Sequence, residues 1–282
     1  MRIDKEAYKK VVDDTMEQMR NQDMYRRFVN LAGTSHLSAR NLAAVLHANP
    51  DVEEVGTLQY WNKRNRIVMA KSKGVKILKP DPDNPKEFIG GMVFDVKQTT
   101  ASITALQQGK KEYQHNYPYS GSLNDFRRFQ EDFQRGLSDV RVRKSNEIDG
   151  PSTLNGALIT VNEGMSPDRE AQAVLLEYAR FVMGKNLANT GETEQVNFDK
   201  EFKAVTMASI MGKRMGFKME DQEVMAKSPE KVFDWSSRTE SPDKLLSDAV
   251  NKANKALFQI SREFFKAKER QQNPSKNIEM TK

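Results

Sequence analysis

From Thr57 to Lys79 the chain reads TLQYWNKRNRIVMAKSKGVKILK. Lys63, Arg64, Arg66, Lys71, Lys73, Lys76 and Lys79 fall in this stretch, and no Asp or Glu does. Ile67, Val68 and Met69, then Val75, Ile77 and Leu78, are strand formers in two short runs, and Lys71-Ser72-Lys73-Gly74 between them has the composition of a turn. The pattern predicts a β-hairpin with a cationic rim. Its seven cations exceed the net charge of +6 carried by all 282 residues, so the rest of the chain is close to neutral and the basic character is local. Tyr60 and Trp61 adjoin the first cations. Cations follow phosphates and flat rings stack on unpaired bases. Tyr60, Trp61, Lys63, Arg64, Arg66, Lys71, Lys73 and Lys76 are therefore the candidate nucleic-acid-binding residues. A solvated hairpin over a core tryptophan has the same composition.

On the N-terminal side, residues 4–30 place Ala7, Val11, Val12, Met16, Met19 and Tyr25 at the spacing of one amphipathic helix. A second helix is expected from Ser38, a plausible N-cap, to Ala48, ending before Asn49-Pro50. On the other side come a loop at Pro80–Lys86 and a strand at Ile89–Val96. The polar stretch 107–123, with Gly109, Pro118 and Gly121, reads as a boundary. Beyond it, Phe126, Phe129, Phe133 and Leu137 mark a helix, and Ala157–Val161 a short strand. Ser166-Pro167-Asp168 announces a helix with a capping hydroxyl, proline at its first position and acid in its first turn, running to Met183 before Gly184. Further helices are expected at 199–215 and 246–268. The fold class is α+β in two domains: residues 1–107, a linker at 108–121, a helix-rich domain at 122–270 and a disordered tail at 271–282.

Cysteine is absent, which excludes disulfides, thiol nucleophiles and thiolate zinc sites. His36, His47 and His115 are the three histidines. His47 falls at a helix end, where it complements the dipole; His36 precedes a helix start; His115 lies among Tyr113, Tyr117 and Tyr119, a packing cluster or an aromatic binding patch. No window approaches a membrane span or a secretory signal, and no glycine-rich phosphate loop occurs, so a cytoplasmic location, no membrane and no cofactor are expected.

The ordered run YRRFVNLAGTSHLSARNLAAVLHANPDV, Trp61, KSKGVKILKP and VFDVKQT (Val93 to Thr99) resembles the N-terminal domain of ArdC-type antirestriction and LtrC-like proteins of plasmids, phages and conjugative elements. That family shows an S-x-x-N helix, a tryptophan, a lysine-glycine hairpin and a V-F-D-V-x-Q-T strand. The resemblance implies a domain that binds single-stranded DNA with little sequence preference. It continues over ALITVNEGMS, EAQAVLLEYARFVMG and EFKAVTMASIMGKRMGF, where the family has a strand, a zinc helix with H-E-x-x-H and a helix bearing a third ligand. Two imidazoles at i and i+4 reach one metal from one helix face, with the intervening Glu as general base. This chain carries Leu176-Glu177-Tyr178-Ala179-Arg180 there, so the base is kept as Glu177 and both ligand positions are lost. Glu201 matches the acidic third ligand. Leucine offers a metal nothing and arginine repels it; Glu177 and Arg180 are expected to form an ion pair at i,i+3.

The combined expectation is an accessory protein of a mobile element that binds single-stranded DNA and has an inactive peptidase-like domain. One alternative is an interaction module whose basic face binds an acidic host partner or another protein of the element. A minor alternative is a metal-dependent peptidase with an atypical site.

Overall fold

The computed structural model describes residues 4–103, 107, 123–184, 194–217 and 241–272. The expected linker 108–121, His115 with Tyr113, Tyr117 and Tyr119, and tail residues 273–282 lie outside the described residues. The fold is α+β. Two compact units are formed, Met1–Asn116 with Phe233–Ser247, and Tyr117–Val232 with Asp248–Lys282. The first unit therefore takes in a piece of chain that the sequence division assigns to the second half.

The first unit begins with α1 (Lys5–Gln18) and α2 (Gln22–Thr34) where one helix was expected. Asn21 makes the break. Its backbone is extended, and its side-chain oxygen accepts from the amides of Asp23 at 2.9 Å and Met24 at 3.3 Å, capping α2. The apolar face of the pair is still buried, with Val12, Met16, Met19, Phe28 and Leu31 in the core. α3 (Ala39–Ala48) starts at Ser38, whose hydroxyl accepts from the Asn41 amide at 3.4 Å, as expected.

The strands are β1 (Val55–Gly56), β2 (Arg66–Val68), β3 (Val75–Pro80), β4 (Phe88–Asp95) and β5 (Thr99–Ala101), with α4 (Leu58–Asn62) after β1 and a 3-10 turn at Val96–Gln98. The expected hairpin within 57–79 does not form. β2 pairs antiparallel with β5, Ile67 facing Thr100, and β3 pairs antiparallel with β4 from Val75↔Val93 to Pro80↔Phe88. The β3–β4 ladder engages all six residues of β3, whereas β2 has only three to offer. Ladder length thus outweighs proximity in sequence. The 71–74 turn is instead held by Gln98, whose Nε2 donates to the Lys73 carbonyl at 3.0 Å. A Cβ on Gly74 would come within 2.5 Å of the Met92 side chain and 2.8 Å of the Phe94 ring, so a larger residue there would have to displace them.

Asn41 fastens α3 to β3. Its Nδ2 donates to the Leu78 carbonyl at 2.7 Å and its Oδ1 accepts from the Leu78 amide at 3.0 Å, as a neighbouring strand would. Oδ1 also accepts from the Tyr8 hydroxyl at 2.6 Å. Burial pushes that hydroxyl up to about 12 against the pull of Arg40, so it stays a donor at neutral pH. Asn41→Leu should cost about 1–3 kcal/mol, because it leaves the part-buried Leu78 amide and carbonyl and the Tyr8 hydroxyl without their partner. Urea denaturation checks this, and unchanged stability would contradict the clamp.

The second unit has α5 (Leu123–Gly136), β6 (Arg141–Ser145), β7 (Ser152–Asn155), β8 (Leu158–Asn162), α6 (Pro167–Val182) and α7 (Glu194–Met215); α8 (Pro242–Gln272) starts in the first unit and contributes from Asp248 onward. Gln271 and Gln272 thus belong to a helix rather than to the expected tail. The sheet order is β6-β8-β7, with β6 parallel and β7 antiparallel to β8. Only β8 was foreseen. RVRKS and STLN each hold one apolar residue, Val142 and Leu154, so neither shows an alternating apolar signal. Ser166 stands at the N-cap of α6, but its hydroxyl caps nothing; Pro167 and the acids Asp168 and Glu170 carry the start. α6 is buried from Glu170 to Ala179. Phe133 packs edge-on against Tyr178 at 5.3 Å between centroids and Phe129 against Phe217 at 4.9 Å, building the core that holds α6 in place. Among the described residues no helix is long and apolar enough to cross a membrane.

Candidate functional site

In the first unit, four of the expected contact residues, Tyr60, Trp61, Arg64 and Arg66, make contacts within the fold. Trp61 is fully buried, and its indole N–H donates to the Phe94 carbonyl at 3.0 Å. It is a core residue and offers no ring to a base, which corrects its placement among the binding residues. The Tyr60 ring lies directly on Gly56, where a Cβ would fall 2.1 Å from it. Its hydroxyl donates to the buried carboxylate of Glu54, and the Arg64 guanidinium sits 3.6 Å from the ring centroid. Tyr60 is therefore no stacking platform either. Arg66 is tied to β5, donating from Nε to the Thr99 hydroxyl at 2.5 Å and from Nη2 to the Thr99 carbonyl at 2.9 Å.

What remains is a set of lysines. Lys63, Lys71, Lys73 and Lys76 are exposed, as is Lys79, which was in the run but outside the expected set. Among the described residues none of these five is paired with a carboxylate. Some lysines do find acids, Lys97 meeting Glu53 at 3.0 Å and Lys144 meeting Glu170 at 2.8 Å, whereas Lys5, Lys9, Lys10 and Lys86 of this unit are exposed like the five. What sets the five apart is that the loop after α4, the 71–74 turn and β3 carry them in a stretch without any Asp or Glu, whereas acids intersperse the lysines of α1 and the loop at Lys86. Among the described residues of this unit Phe88 is an exposed ring, but it adjoins the loop carrying Asp81, Asp83 and Glu87, which repels phosphates. His47 lies in the last turn of α3 with Nδ1 3.4 Å from the Thr15 hydroxyl, consistent with the dipole role.

In the second unit, α6 presents Leu176, Glu177 and Arg180, and α7 presents Glu201. Arg180 Nη1 donates to Glu177 Oε1 at 2.8 Å, the expected i,i+3 pair. The same guanidinium grips Glu201 with two bonds, Nη2 to Oε1 at 2.6 Å and Nε to Oε2 at 3.1 Å. Ser152 of β7 donates to Glu177 Oε1 at 2.8 Å. Leu176 is buried among apolar neighbours and has no donor atom to give. Burial acts to lower the Arg180 pKa, but hydrogen bonding to Glu201 and the field of both carboxylates prevail and raise it, so it remains a cation. A catalytic zinc needs three protein ligands. Here the two carboxylates are bridged by a fixed positive charge and the remaining position is aliphatic, so the residues present do not fit a divalent metal. Among the described residues no group of three or more His, Asp or Glu is placed to hold one.

The sequence matches no family model and no curated protein. Solved structures do match. The antirestriction protein ArdC from the R388 plasmid, in its metal-free form, has a TM-score of 0.50 at 11% identity, covering 91% of this chain and 98% of that one. Its Mn(II)-bound form gives a TM-score of 0.50 at 14% identity, covering 91% and 97%. The fold is that of ArdC. The likeness covers 91% of this chain, more than either unit alone. At these identities it concerns the backbone alone; the site chemistry of this protein rests on its own residues.

Proposed function

We propose that the protein binds single-stranded DNA without sequence preference through the lysine face of its first unit, as an accessory of a mobile element, and that its second unit carries out no metal-dependent peptide cleavage. The observation that carries the DNA reading is the set Lys63, Lys71, Lys73, Lys76 and Lys79, exposed and uncompensated by carboxylates. Lysine is a point charge without the planar fork that reads base edges, so such a face recognises phosphate spacing rather than sequence. The mobile-element setting is supported by the likeness in fold to ArdC of the R388 plasmid, an antirestriction protein.

A competition assay tests the reading. A labelled mixed-sequence oligonucleotide is bound and then challenged with unlabelled single strand, duplex or polyglutamate. Single strand should displace it best and polyglutamate poorly. Displacement by polyglutamate as efficient as by DNA would favour the acidic-protein alternative.

Loss of peptidase chemistry is supported by the Glu177–Arg180–Glu201 triad, in which a guanidinium holds both acids. Purified protein should carry no stoichiometric zinc and cleave no peptide. Elemental analysis finding about one tightly held zinc per chain, which takes three protein ligands, would overturn this.

A further inference from the structure

The two-stranded ribbon of β2 and β5, with the residue that follows β2, carries two of the exposed large apolar side chains of the first unit, the others being Leu58, Phe88 and Ile103. Ile67 is 48% exposed and Met69, two positions on, 45%. Thr100, the cross-strand partner of Ile67, is exposed on the same face. No carboxylate occurs between Thr57 and Lys79 or in Thr99–Ala101, so the ribbon itself carries no negative charge and the charged residues next to it in sequence are cations.

The backbone around β2 is set by unusual conformations. Asn65 at φ 57° and Lys71 at φ 66° are the non-glycine residues with positive φ among the described residues, and they bracket this one strand. Such conformations persist where the surroundings enforce them, and they gather at ligand-contacting sites. The enforcing bonds are present: Ser102 N–H donates to the Asn65 carbonyl at 2.8 Å, Met69 N–H to the Gln98 carbonyl at 2.9 Å and Ser72 N–H to the Met69 carbonyl at 3.2 Å. Arg66, on the alternate side of the strand, is tied down to Thr99. Ile67 and Met69 are thus held outward on a fixed frame.

We infer that Ile67 and Met69 are the base-contacting residues of the DNA surface, taking the faces of unpaired bases while Lys63, Lys71 and Lys73 meet the phosphates. This rests on the nucleic-acid reading and deepens it. Charge selects the occupant: a second copy of the chain would set like cations against each other, whereas a polyanion with apolar faces complements both features. The bases of a duplex are stacked inside and present no face to such a ribbon, so these two residues separate single strand from duplex.

The test is the double variant Ile67→Thr, Met69→Gln, which keeps a β-branched residue in the strand and chain length beside it. Anisotropy titrations with an oligothymidylate and with a hairpin duplex, each at several salt concentrations, should show single-strand affinity falling about tenfold, as loss of two apolar contacts implies. Duplex affinity, salt dependence and melting temperature should stay as in the parent. If the parent binds neither form, the nucleic-acid reading itself fails. If the parent prefers single strand and the variant keeps that preference, the reading stands and this inference is overturned. A drop confined to binding of phosphatidylserine vesicles would also overturn it, by assigning the face to a membrane surface. Should the double variant melt early, Ile67→Thr alone gives the same comparison.

Discussion

Trp61→Ala should unfold the first unit far more readily than the parent while leaving DNA affinity of the folded protein unchanged. Truncating a fully buried tryptophan costs about 3–5 kcal/mol, because the cavity is only partly refilled. The Phe94 carbonyl also loses its donor, adding roughly 1 kcal/mol if no water replaces it. Guanidinium denaturation gives the stability, and anisotropy well below the melting point gives the affinity. A variant of parental stability with weakened DNA binding would place Trp61 on the surface instead.

A comparable loss is expected in the second unit from Arg180→Met. Removing one partner of a buried pair while leaving the others charged costs about 3–5 kcal/mol, and here Glu177 and Glu201 would be left facing each other without their cation. On the order of 10 °C in melting temperature is the corresponding change. Adding Glu177→Gln and Glu201→Gln should return most of it, since the three charges act as one unit. The sign with pH follows from the raised Arg180 pKa: its stabilisation is present below the unfolded value and is lost only as pH rises through the higher folded one. Deprotonation of Arg180 therefore removes none of the parent's stability between neutral and mildly alkaline pH. Full additivity of the three single changes would contradict the triad.

The helices were legible where a local rule decided them. Ser38 caps α3, Pro167 opens α6, and Glu177 meets Arg180 at i,i+3. What escaped was set at long range. Nothing near residues 66–78 tells that β2 belongs with β5 and β3 with β4, because those partners follow later in the chain. β6 and β7 carry one apolar residue each and take their place from β8. Asn21 looks like any polar residue on a helix face until its side chain is seen to cap α2.

The candidate site was legible in charge and misleading in its rings. Residues quoted for the family likeness, Asn41, Trp61, Asp95 and Gln98, hold backbone: Asn41 clamps Leu78, Trp61 bonds Phe94, and Asp95 with Gln98 forms a capping box around the 3-10 turn. The pattern thus records the frame, and the lysines and exposed aliphatic residues record what the frame presents.

The central claim is tested most directly by the salt dependence of single-strand binding in Lys63→Ala, Lys71→Ala, Lys73→Ala, Lys76→Ala, Lys79→Ala combined. Each phosphate contact on a single strand contributes about 0.7 to the slope of log affinity against log salt. The combined variant should therefore bind weakly at low salt, with a slope shallower by roughly 3 to 4 than the parent's. Parental affinity and slope in the folded variant would show that DNA, if bound at all, is bound elsewhere.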